Sequence, residues 1–171
     1  HDSLAAIAKY NEDYKKITEA PNLIRTQTVE LPKLKETYAK FVQDFKEKNN
    51  LFLVKRLVVK QPTVIYLTDY ERAFKVSVLD ETFAEVDLDY NKCDVALTSE
   101  ALHFCFEFPW GWDTLNINGR FQVPGEGDMN KFRSIGNIQL RNSHGEYFTA
   151  PYLLGKVKTR ITRKLKMLSV K

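Results

Sequence analysis

Residues 101–124 read ALHFCFEFPWGWDTLNINGRFQVP. The stretch holds both tryptophans and four of the eleven phenylalanines of the chain. An apolar helix is expected up to about Glu107, stopped by Pro109, and the Trp110-Gly111-Trp112-Asp113 turn then leads into an expected strand at Leu115–Val123. Aromatic rings carry large buried area, and Gly111 leaves the backbone room to bend between two indoles. Such a segment builds an apolar pocket or a wedged corner. In an extended turn Trp110 and Trp112 point to opposite sides, one to the core and one to the rim.

Upstream of this stretch the period is that of strands. Val64–Thr68 and Arg72–Leu79 read as two strands joined at Asp69-Tyr70-Glu71, with Phe74, Val76 and Val78 alternating against Lys75 and Ser77. Thr82–Asp87 and Cys93–Leu97 follow as a third and a fourth, and Thr98-Ser99 caps the helix that begins at Glu100. Leu51–Lys60 fits a strand or a helical segment equally. Further upstream the period is helical: one helix over the first twenty residues, ended by Pro21, and a second from Pro32 to Lys48 with Leu34, Tyr38, Phe41, Val42 and Phe45 as its stripe. Downstream, Asp128 caps a short helix carrying Met129, Phe132 and Ile135, and a last helix runs from about Pro151 to Leu168. Strands and helices without a βαβ rhythm predict an α+β fold with a largely antiparallel sheet. Residues 51–171 are expected to form the domain, and residues 1–50 a loosely attached helical extension or linker.

The chain has 171 residues, 43% of them hydrophobic and 12% aromatic, enough for one well-buried core. It contains no apolar run long enough for a transmembrane helix. It opens His1-Asp2-Ser3 with no signal-peptide pattern, as expected of a piece of a longer protein. Cys93 and Cys105 lie in apolar surroundings and are expected to be reduced, buried thiols, which places the protein in the cytoplasm. The net charge is +4, yet residues 151–171 hold seven Lys or Arg and no acid, so the remainder is net −3. A basic tail on a slightly acidic body argues against nucleic acid as a partner.

Few side chains promise chemistry. The three histidines, His1, His103 and His144, have no metal-ligand spacing, so no metal site and no cofactor are expected. His103 lies between Leu102 and Phe104 and reads as a core or rim histidine; His144 sits in a polar turn. Cys105 is flanked by Phe104 and Phe106, a setting that raises a thiol pKa. No nucleophile elbow, P-loop or complete dinucleotide fingerprint occurs, and no catalytic residue is assigned. Asp113 and Arg120 flank the expected strand, where they can form an ion pair or meet a polar headgroup. In the last helix Leu154, Val157, Ile161, Leu165 and Leu168 make one apolar stripe beside many cations. Packing of that stripe on its own domain is the expectation, and contact with a membrane surface is the competing one.

The order of elements from Val64 to Pro124 resembles the sterol-carrier-protein-type lipid-binding fold. The strands Val64–Thr68 and Arg72–Leu79 come first. The run Asp94-Val95-Ala96-Leu97-Thr98-Ser99-Glu100-Ala101-Leu102 then looks like that family's strand-into-helix step, and residues 113–121 like its following strand. More narrowly, residues 110–121 are similar to a segment in the C-terminal part of large metallo-β-lactamase-fold proteins akin to the sialic-acid hydroxylases. The resemblance implies an apolar cavity between sheet and helices, with Phe104, Phe106, Trp110, Trp112, Asp113, Arg120 and Phe121 near a ligand and Phe74 and Val76 facing them. It implies a chain that is not catalytic alone, attached to a metal-dependent hydrolase or hydroxylase domain whose histidine-rich motifs have no counterpart here. The expected function is an accessory domain shaping substrate access or an oligomer interface, or alternatively a module binding lipid or an apolar small molecule. Five large aromatics within eighteen residues are expected to fill the space rather than line it.

Overall fold

Apolar residues three and four apart put Leu34, Tyr38, Phe41, Val42 and Phe45 on one side of a helix. In the computed structural model, which describes residues 2–19, 26–57 and 62–168, these five side chains are the buried face of α2 (Leu31–Lys48). Pro32 sits in its first turn, where no N–H is missed. Before it comes α1 (Asp2–Glu19), whose side chains from Ser3 to Lys16 are all exposed. After it comes α3 (Leu51–Leu57), so the ambiguous stretch is helical to Leu57, and the rest of it lies outside the described residues. Pro21 lies outside them too.

Four strands form one mixed sheet: β1 (Thr63–Leu67), β2 (Arg72–Ser77), β3 (Thr82–Val86) and β4 (Val95–Leu97), in the order β3-β2-β1-β4. β1 and β2 are antiparallel with Ile65 opposite Phe74, and β2 and β3 are antiparallel with Phe74 opposite Glu85. β4 runs parallel to β1, Ile65 facing Val95. The chain leaves β3 at one edge and returns at the other through a 3-10 turn at Tyr90–Lys92, which sets that direction. The outer side of β4 is covered by Gln122, which exchanges two 2.8 Å backbone hydrogen bonds with Ala96. Glu71 and Glu81, at φ of 53°, make the tight turns between the antiparallel strands.

The remaining helices are α4 (Ser99–Glu107), α5 (Gly111–Asn118), α6 (Met129–Ser143) and α7 (Ala150–Leu168). Thr98 caps α4 by accepting the Ala101 N–H at 3.3 Å, and Asp128 caps α6 by accepting that of Asn130 at 3.0 Å. The architecture is α+β. A single cluster of buried residues joins α2, α3, the sheet, α4, α5 and α6.

Three expectations change. The boundary at residue 50 does not separate two packing units, because α2 supplies Leu34, Tyr38, Phe41, Val42 and Phe45 to the same core as the sheet. Tyr38 reinforces this: its hydroxyl donates to Ser77 O at 2.8 Å and to Thr82 O at 3.0 Å, tying α2 to the β2–β3 turn. Second, the expected strand at Leu115–Val123 is helix α5 up to Asn118 and then irregular, apart from the bridge of Gln122 to Ala96. Alternation would bury Leu115 and Ile117 alike, but Leu115 is buried while Ile117 is 80% exposed. Gly119 at φ 65° ends that helix in the left-handed conformation, its N–H donating to Leu115 O, so it is a helix stop rather than a strand residue. Third, the α7 stripe is not packed on its own domain at Leu154 and Ile161, which stand exposed. The face of the sheet that could have received it is already covered by the other helices. Val157, Leu165 and Leu168 lie outside the described side chains.

Candidate functional site

The seven residues expected at one ligand site fall in four places. Phe106 and Trp112 go inward. Trp112 is 5% exposed and its ring centre lies 4.4 Å from that of Phe132 and 6.2 Å from that of Phe106. Gly136 lets α6 approach so closely that a Cβ there would stand 2.9 Å from the Trp112 Cβ. Between these rings and Ile65, Val76 and Val78 of the sheet side, only about 10 Å3 remains. That is space for about one water and none for an acyl chain. The aromatics there are a plug.

Arg120 and Phe121 go to the opposite end of α5. They follow the helix stop and lie with Gln122 against Ala96–Thr98, beside a shallow depression of about 280 Å3. Phe121 packs partly on the core and Arg120 is exposed. Asp113 occupies the first turn of α5, where a carboxylate suits the positive helix end, and no ion pair joins it to Arg120. The strand that would have set them across a sheet edge is a helix as far as Asn118.

Trp110 remains, with Phe104 beside it. The rings of Phe104, Phe108 and Trp110 follow one another at 4.8 and 5.6 Å between centres, and the last indole is 54% exposed. It forms the lip of a cleft of about 600 Å3 between α2, the end of α4 and α6. Phe41, Phe45 and Phe106 form the buried floor of this cleft, and Lys33, Lys40 and Lys48 line its α2 wall. The α2 period that buries the phenylalanines also places the lysines along one margin. Lys40 and Lys33 bracket Glu36 at 2.6 and 3.6 Å, and the hydrogen bond from Lys40 above all holds that carboxyl below its ordinary pKa. Lys48 reaches Asp44 at 2.6 Å.

The α6 wall carries two amides. Gln139 donates from Nε2 to Cys105 O at 3.3 Å and Phe108 O at 3.2 Å, satisfying carbonyls at the end of α4. Among the described residues its Oε1 and the Oδ1 of Asn142 are buried and meet no donor. Sequence reasoning missed both amides, since only packing brings α6 beside the end of α4.

Neither cysteine, and neither His103 nor His144, lines the cleft. The Cys105 thiol is buried under the aromatics, and that burial pushes its pKa well up. His103 faces Glu107, Nδ1 to Oε2 at 3.3 Å, and its Nε2 is buried without a partner. His144 lies in the exposed turn after α6, its Nδ1 at 2.7 Å from Leu140 O. Among the described residues no three His, Cys, Asp or Glu side chains converge.

Two other polar residues have structural work. Asp94, buried, accepts the Val64 N–H at 2.8 Å and the Lys131 ammonium at 2.9 Å, joining β1 to α6. Asp69 accepts both the Ser99 N–H at 2.9 Å and its hydroxyl at 2.5 Å, and Ser99 Oγ in turn accepts the Val29 N–H at 2.8 Å. Compared with known protein families, with curated proteins and with solved structures, the chain matches none of them.

Proposed function

We propose that this chain is a non-catalytic accessory module of sterol-carrier-protein type, belonging to a larger cytoplasmic protein with a metallo-β-lactamase-fold hydrolase or hydroxylase domain. The cleft between α2, α4 and α6 is its working surface, where it shapes substrate access or meets the catalytic domain. The observation that carries this reading is the half-exposed Trp110 over an aromatic floor with a lysine margin. Large aromatics with a polar rim mark surfaces that become buried on association. Gln139 and Asn142 of α6 add polar groups to the wall of the same cleft. Two buried free thiols support a reducing compartment.

Trp110 supplies the test. The chain has two tryptophans, one buried and one exposed, so iodide quenching of fluorescence reads Trp110. The expected result is quenching in the isolated chain and protection in the product of the full reading frame. Equal quenching in both, or a reading frame that encodes no further domain, overturns the proposal.

A second reading, an apolar small-molecule module, is favoured by the same aromatic floor. The filled interior leaves such a ligand the outer cleft rather than a lipid cavity. An aromatic sulfonate such as 8-anilinonaphthalene-1-sulfonate matches floor and lysines together. Saturable binding that Trp110→Ala removes while lowering Tm by no more than about 2–4 °C is the expected outcome of this reading; no saturable binding sinks it.

A further inference from the structure

α7 is tied to the body at its base. Asn49 Oδ1 accepts the Phe148 N–H at 2.9 Å, Phe148 O accepts the Asn50 N–H at 2.8 Å, and Leu153 packs on the core. Glu146 then receives the Tyr152 hydroxyl at 2.5 Å and the Lys156 ammonium at 2.9 Å. On the same helix Leu154 is 69% and Ile161 54% exposed, and Lys158 and Thr159 between them are exposed as well. Two large aliphatic side chains seven apart lie on one face of a helix, nearly two turns from each other.

The charge of α7 is one-sided. Its 19 residues include six Lys or Arg and no Asp or Glu. The rest of the chain is net negative. The helix is about 28 Å long at 1.5 Å per residue. Among the described residues no helix is long and apolar enough to cross a membrane. An acid-free cationic helix with an exposed aliphatic stripe suits an interface that offers negative charge and an apolar phase together. A bilayer containing anionic lipid offers both.

We propose that α7 is a docking helix for an anionic membrane surface. The Leu154 and Ile161 stripe enters the acyl boundary, the cations lie among the headgroups, and the net-negative body is held off the surface. This is independent of the Trp110 cleft and stands or falls separately from it.

Flotation of the whole chain with vesicles tests it, comparing phosphatidylcholine alone with phosphatidylcholine containing about one-third phosphatidylserine. Binding is expected to the anionic vesicles only, and to fade in high salt. Leu154→Ser with Ile161→Ser should cost at least roughly tenfold in binding, since several buried CH2 groups are lost. Lys158→Gln, Arg163→Gln and Lys164→Gln together should cost roughly a hundredfold, at about fivefold per cation near the surface. The serine variant should keep the parent Tm, because Leu154 and Ile161 are exposed. Equal binding to neutral vesicles, or none to either, overturns the proposal. So does a dimer in sedimentation equilibrium that the serine variant dissociates, which assigns the stripe to a second copy of the chain.

Discussion

Trp110 and Trp112 stand two apart and carry the same ring, but one is an anchor in the core and the other a lip on the surface. Trp112→Ala should lower stability by about 3–5 kcal/mol, the range for removing a buried aromatic. Trp112→Phe should cost less than about 1.5 kcal/mol, because it keeps most of the volume and removes an indole N–H that has no partner. Trp110→Ala should cost about 1 kcal/mol or less, the worth of its stacking on Phe108. Chemical denaturation of the three variants checks the order, and a larger loss at Trp110 than at Trp112 would refute the assignment. That one indole is core and the other rim was legible in the sequence, although the reason was wrong. The two are separated by the start of a helix, not by the alternation of an extended turn.

Among elements, α7 shows how a local cluster can hold a helix at one end. Glu146 is kept below its ordinary pKa, first by the hydrogen bond from Tyr152 and then by that from Lys156. A carboxyl whose folded pKa is depressed contributes stability above its unfolded value and loses it as pH falls through the folded value. The contact of Lys156 runs the other way, since Glu146 raises its pKa and the contribution is lost only as pH rises through that raised value. The base of α7 should therefore hold through neutral pH and loosen below about pH 4. Amide exchange at Tyr152 and Leu153 should accelerate there before the sheet responds, and Glu146→Gln should show the faster exchange already at neutral pH. Unchanged exchange in that variant would show that Leu153 packing alone seats the helix. The helix itself was readable from its period and its missing acids. Its fate was not, because whether a stripe finds a receiving face depends on which other helices cover the sheet.

For the whole molecule the decisive question is which segments share the core. Removal of residues 1–25 should leave the cooperative unfolding transition nearly intact, since the described α1 side chains are all exposed and the Val29 contacts to Ser99 and Tyr70 survive. Removal of residues 1–50 should abolish that transition, because it strips five large side chains of α2 from the shared cluster. Soluble, cooperative protein after the longer truncation would restore the boundary at residue 50.

Elements whose signals are local could be read directly from the residues. Alternation in Arg72–Leu79, the stripe of α2, the Thr98 and Asp128 caps and the apolar setting of Cys105 all act within a few residues, so each could be read from its neighbours. Tertiary structure decided the rest. Asn116 and Gly119 fit a strand or a helix end equally until α4 and α6 enclose Trp112 and Leu115 on one side, which selects the helix. The same packing sends Arg120 and Phe121 to the edge of β4 and brings Gln139 and α2 to Trp110, building the cleft from residues far apart in the chain. Side-chain volume between distant elements chose plug over cavity, and volume at that range leaves no trace in local periodicity.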